Sequence, residues 1–122
     1  MSLANALDSL KAQLQEQGIT SVVPGIDKRR DTTYCTLAPA NTTHTNYTNT
    51  KRRVTALIEC LVELALDIDA DNALVLLVDR LATDLVPDDT LLRVEVQSTQ
   101  FGLVSGRRGV NIVFTIVYLQ DR

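Results

Sequence analysis

The 122-residue sequence predicts an α+β fold: a mainly antiparallel sheet of four or so strands, two helices packed on one face, the order α-β-β-α-β-β, and a projecting polar arm. Three observations carry this expectation. Leucines recur at helical spacing in two separate segments, while other segments alternate or are rich in β-branched residues. A Thr/Asn ribbon with almost nothing apolar in it lies directly against the most hydrophobic run of the chain. Helices and strands in this order suit a sheet covered on one face.

Leu3, Ala6, Leu7, Leu10 and Leu14 fall on one side of a helix over roughly 3–17, with Asn5, Asp8, Lys11, Gln15 and Glu16 on the other. Gly18 suits the C′ position that stops it. Residues 19–26 read as a short extended piece broken by Pro24 and Gly25, and residues 27–31 as a polar turn. Residues 32–37 are β-branched and aromatic and read as a strand that ends at Ala38-Pro39-Ala40-Asn41.

Residues 40–53 form an exposed arm or hairpin. Thr favours extended backbone and Asn interrupts regular pairing, and no apolar alternation seats the ribbon on a core. Thr42, Thr43, His44, Thr45, Asn46, Tyr47 and Thr48 are the expected partner-contact residues of this arm. It ends in Lys51-Arg52-Arg53.

Residues 54–66 carry two periods. Thr55, Glu59, Glu63 and Asp67 fall every four residues, as on a helix, but every even position from Val54 to Ile68 is non-polar. A strand with one face on the core fits better. The N-cap candidates Asp69, Asp71 and Asn72 support it, since a helix flowing into a helix needs no new cap. Leu74, Leu77, Val78, Leu81 and Leu85 then set a second helix over 72–85, closed by Pro87. Residues 91–98 and 110–119 alternate as a hairpin, with Gly102, Gly106, Gly109, Arg107 and Arg108 in a flexible basic tip over 99–109. No repeat or linker interrupts a single domain over 1–122.

Hydrophobic residues make up 45% and charged residues 22% of the chain, as in ordinary globular proteins. Aromatics are only 4% and Trp is absent, so aliphatic side chains must fill the core. A net charge of −3 argues against bulk attraction to nucleic acid. The charges are nonetheless segregated. Eight of twelve cations sit in the runs Lys28-Arg29-Arg30, Lys51-Arg52-Arg53 and Arg107-Arg108, and acids cluster at Asp67, Asp69, Asp71, Asp79, Asp84, Asp88 and Asp89. Facing one place in a ring, the three basic runs would make a belt able to contact DNA or neighbours without reading sequence.

Cys35 and Cys60 lie in apolar runs and read as buried free thiols. The N-terminus has no basic n-region or apolar h-region, and the longest apolar run is too short to span a bilayer, so no membrane association is expected. His44 has no ligand-type residue at metal spacing and reads as a solvated side chain. Glu59 and Glu63 share a face but lack a nucleophile or base. Asp67, Asp69 and Asp71 suit helix capping better than a calcium loop, which needs a glycine and a closing acid absent here. The Gly/Arg tip precedes no helix that would complete a phosphate site. No metal, cofactor or catalytic site is expected.

The leucine-rich first helix, the strand over 32–37, the polar arm, the long strand over 54–66, the capped helix over 72–85 and the closing hairpin through Leu119 resemble the tail terminator family of long-tailed bacteriophages, which includes tail-completion and head-to-tail joining proteins. The resemblance covers most of the chain and rests on element order. It implies a virion protein forming a ring, a homohexamer, that caps the tail tube and docks onto the head connector or adaptor proteins, with possible non-specific contact to packaged DNA. It also implies an arm that reaches a neighbour or the tail tube by strand addition, anchored on a central strand. The chain departs from some relatives in lacking a strongly acidic lumen signature. Two other readings stand beside this one. One is a small cytoplasmic α+β binding or regulatory domain contacting RNA. The other is an enzyme site assembled between subunits around Glu59, Cys60 and Glu63.

Overall fold

A computed structural model describes residues 2–21, 33–64, 70–88, 91–104 and 107–121. Helix α1 (Leu3–Glu16) starts at the N-cap Ser2, whose hydroxyl accepts from the Asn5 N–H at 3.2 Å. It stops in the way Gly18 predicts. Gly18 adopts φ +80, its N–H donates to the Gln15 carbonyl, and the Ile19 N–H donates to that of Leu14, both at 3.0 Å. These two bonds are a Schellman motif, and the buried Ile19 supplies its apolar contact. Helix α2 (Ala70–Asp84) begins two residues before the expected start.

The described strands form one sheet: β1 (Thr20–Ser21), β2 (Tyr34–Asn46), β3 (Lys51–Glu63), β4 (Arg93–Val104) and β5 (Arg107–Asp121), ordered β1-β2-β3-β5-β4. The four long strands pair antiparallel in the expected α-β-β-α-β-β order, and β1 adds two residues in parallel beside Tyr34 and Cys35. The run with two competing periods is therefore strand as far as Glu63, with positions 65 and 66 outside the described residues. Its even positions Val54, Ala56, Ile58, Cys60 and Val62 are all buried. They lie opposite Tyr118, Ile116, Phe114, Ile112 and Val110 of β5, also buried.

Both helices cover this face. Ala6, Leu10 and Leu14 of α1 and Leu74, Leu77 and Leu81 of α2 belong to one core cluster with the even residues of β3 and β5. The opposite face carries Leu57, Glu59, Leu61, Val113 and Thr115, and no described helix covers it. Two bulges interrupt the ladders, at Ala40 between Pro39 and Asn41 and at Gln97 between Val96 and Ser98.

The loop expected over 99–109 shortens. The β4–β5 ladder continues to Val104↔Arg107, with Gly102 opposite Gly109, leaving only positions 105 and 106 outside the described residues. The Pro24-Gly25 break, the turn over 27–31 and the capping residues Asp67 and Asp69 also lie outside them.

Candidate functional site

Residues 40–53 adopt the hairpin form. The ribbon is the outer half of β2, paired from Asn41↔Leu57 through Asn46↔Arg52. Its turn is closed by Thr48, whose Oγ1 accepts from the Lys51 N–H at 3.0 Å and the Thr50 N–H at 3.3 Å. The ribbon thus owes its order to β3 of its own chain, not to a second molecule. Yet every side chain from Ala38 to Thr50 is exposed, on both faces. His44 reaches only its neighbour, with Nε2 3.3 Å from Thr42 Oγ1.

Beyond its two-residue contact with β1, the outer side of β2 pairs with no other described strand. Main-chain direction along this edge follows from two bonds. The Thr20 N–H donates to the Thr33 carbonyl at 3.1 Å, so odd positions face outwards before the bulge. Pro39 is one of them, the place on an edge strand where a missing N–H breaks no ladder bond. After the bulge the Tyr47 N–H donates to the Lys51 carbonyl at 3.2 Å. The inward positions are then Thr43 and Thr45, and the main-chain groups of Thr42, His44 and Asn46 point away from β3.

The basic runs do not converge in one chain. Lys51, Arg52 and Arg53 lie opposite Asp121, Gln120 and Leu119 at one end of the sheet. Arg107 and Arg108 lie opposite Val104 and Leu103 at the other end. With Lys51↔Asp121 and Glu63↔Gly109 marking the two ends, about 12 residues separate them, or roughly 40 Å at the rise of a strand. Lys51 pairs with Asp121 and holds that exposed carboxyl below its usual range. Lys28, Arg29 and Arg30 lie outside the described residues.

The catalytic arrangement around Glu59, Cys60 and Glu63 is split by strand alternation. Cys60 faces the helices and is fully buried, while both carboxylates project from the other face, about 13 Å apart along the strand. Glu63 is only 5% exposed and Glu59 is exposed, so the two also differ in environment. No stacking platform for bases forms either. Of the five aromatics, Tyr34, Phe114 and Tyr118 are buried, and the exposed Tyr47 and Phe101 sit towards opposite ends of the sheet.

Cys35 and Cys60 are free and buried. A hydrogen bond with Cys35, together with burial, pushes the Cys60 thiol well above its ordinary value. The unfolded thiol ionises near 9 while the folded one keeps its proton. Above that pH the unfolded state binds fewer protons, so stability falls as pH rises, and below it Cys60 contributes no slope. Burial raises Tyr118 in the same direction. In native buffer at pH 8, both thiols should react with Ellman's reagent at least about 10³-fold more slowly than in denaturant, the ratio set by the unfolding equilibrium. Fast native reaction would show that this part of the sheet opens locally.

Sequence reasoning missed a second feature, at the end of β4. Phe101 (49% exposed) and Leu103 (70%) project there, beside a recess of about 210 Å³ lined by Leu74, Val75, Phe101 and Arg108. A groove of about 180 Å³ opens between Leu61, Gln100, Gly102 and Asn111 of the other face and also borders Phe101 and Leu103. The Asn111 Oδ1 at its floor is buried and accepts no hydrogen bond from the described residues. The outer side of β4, like that of β2 beyond its contact with β1, pairs with no described strand. Alternation of residues 91–98 signalled the strand, but the glycines beyond it hid how far it runs.

No helix among the described residues is long and apolar enough to cross a membrane. No model of a known protein family matches the chain, and a search of curated proteins finds no similar sequence.

Proposed function

We propose that this chain is a self-assembling structural protein of the virion, a ring-forming tail terminator or neck component that caps a phage tail tube and joins it to the head connector. One observation carries the reading: the outer edge of β2 over residues 40–46 pairs with no described strand and holds no Asp, Glu, Lys or Arg. Monomeric proteins usually blunt such edges with lysines, prolines, strong bulges or a covering loop. Here the proline and the bulge come at positions 39 and 40, and six residues of Thr, Asn and His follow in β2 with no lysine, proline or bulge among them. Thr keeps this strand extended and soluble while unpaired, and its main-chain groups suit strand addition. The element order of the tail terminator family supports the same reading. So does the placement of cations at both ends of the sheet, where a ring repeats each into a belt. The protein would act through surfaces, not chemistry, and reside in the neck or tail after assembly in the host cytoplasm.

Light scattering over a dilution series, with negative-stain microscopy, tests this reading. Discrete rings, six-membered by the resemblance, are the expected result. A monomer at every concentration that retains RNA on a filter in low salt, and loses it as salt rises, would instead support the RNA-contacting domain.

A further inference from the structure

Among the described residues the sheet has two open edges, the outer side of β2 beyond β1 and that of β4, and they complement one another. Strand β2 runs from the Glu63 end of β3 towards its Lys51 end, and β4 runs the opposite way. When a second copy is set beside the first with its helices on the same side, β2 of one meets β4 of the other antiparallel. We propose that these two edges pair between copies, head to tail, and extend one sheet from subunit to subunit. The proposal rests on the self-assembly reading above and names the surfaces that perform it.

Length and chemistry select the register. The free edge of β2 spans residues 37–46, and β4 spans Arg93–Val104. Full overlap sets Leu37 against Leu103, Pro39 against Phe101, Thr43 against Ser98 and Thr45 against Glu95; Pro39 has no N–H to give, so the main-chain bonds of this pairing come from Leu37 and from the outward positions Thr42, His44 and Asn46 beyond the bulge. Strand alternation then matches the faces. Leu37 and Pro39, on the helix side of β2, cover the exposed Phe101 and Leu103 beside the recess under α2. On the helix-free side, Asn41 and Thr43 sit against Gln100 and Ser98, at the groove that holds the Asn111 acceptor, and bring side-chain donors to it. The two bulges, at Ala40 and Gln97, fall near one another in this register and keep the faces in phase on both sides of them. The same arrangement brings Lys51, Arg52 and Arg53 of one copy towards the start of β4 of the next, where Asp88 lies beside the Arg93–Glu95 ion pair.

Within one chain Leu37 stands level with Thr99, through Cys60 and Ile112. The pairing therefore shifts each copy by four residues along the strand, about 13 Å. A fixed shift per unit is what a closed sheet needs. The interface is heterologous, with different patches on the two copies, so it closes into a ring or grows as a filament and cannot stop at a two-fold dimer.

Disulfide trapping tests it. Thr43→Cys and Ser98→Cys replace small exposed residues that strands β3 and β5 keep apart within one chain. Any disulfide between them is therefore intermolecular. Mixing the two single variants under mild oxidation should give a covalent dimer that neither gives alone. The double variant should give a ladder of higher species, absent from the wild type. Circular dichroism checks that each variant is folded, and Thr45→Cys with Glu95→Cys is the replacement pair if one is not. Assembly by light scattering with Thr43→Cys linked only to itself would overturn the β2–β4 assignment and leave self-assembly standing. A monomer with no cross-link in any mixture would overturn both.

Discussion

Phe114→Ala should lower the unfolding free energy by about 3 to 5 kcal/mol. Phe114 is fully buried in β5, opposite Ile58 of β3 and Val96 of β4, at the centre of the core face. It is the only phenylalanine in the core cluster, whose other aromatic side chain is Tyr118; Phe101 is half exposed. Small neighbours held by strand pairing cannot close on the vacated volume, so a cavity term adds to the lost transfer energy. A urea titration should show a lower midpoint with an unchanged slope. Leu103→Ala, 70% exposed, should move the midpoint by no more than about 0.5 kcal/mol. Equal effects from the two would mean that the core is not where β3, β5 and the helices place it.

His44→Pro should abolish assembly while leaving the folded chain nearly as stable as before. The His44 N–H points away from β3, so proline there breaks no bond within the chain but removes a donor from the open edge. Thr43→Pro is the counterpart. Its N–H points towards β3, so its loss should cost about 1 to 2 kcal/mol of stability. Association through the edge should weaken roughly tenfold or more per interface in His44→Pro, since each 1.4 kcal/mol is a factor of ten. A ring loses this at every contact. Sedimentation velocity for association and thermal melts for stability separate the two effects. Similar behaviour of both variants would mean that the alternation assigned to β2 is wrong.

Much of this architecture was legible in the residues. The leucines of α1 and α2 and the even positions of β3 predict the core face because burial selects apolar side chains at the period of each element. Gly18 predicts the end of α1 because a left-handed cap favours glycine. The ribbon was harder to read. Its side chains are exposed on both faces, so no alternation marks it as strand, and its order comes from main-chain bonds to β3 that any residue but proline can make. The hairpin tip misled in the other direction. Gly102 and Gly109 look like a loop, yet they sit opposite each other in the ladder. The separation of Arg107 and Arg108 from the cations at 51–53 depends on strand direction, which charge runs do not encode. Nor does periodicity reveal which strands of the described sheet are its edges, because an edge is defined by what does not pair with it.

Amide exchange across residues 41–46, followed by NMR at rising protein concentration, tests the central claim most directly. In dilute solution Thr43 and Thr45 should be protected, and Thr42, His44 and Asn46 should exchange fast. As concentration rises, those three outward amides should slow in step with the appearance of larger species by light scattering. Outward amides that remain fast while the chain assembles, or that are already slow in a monomer, would contradict the account.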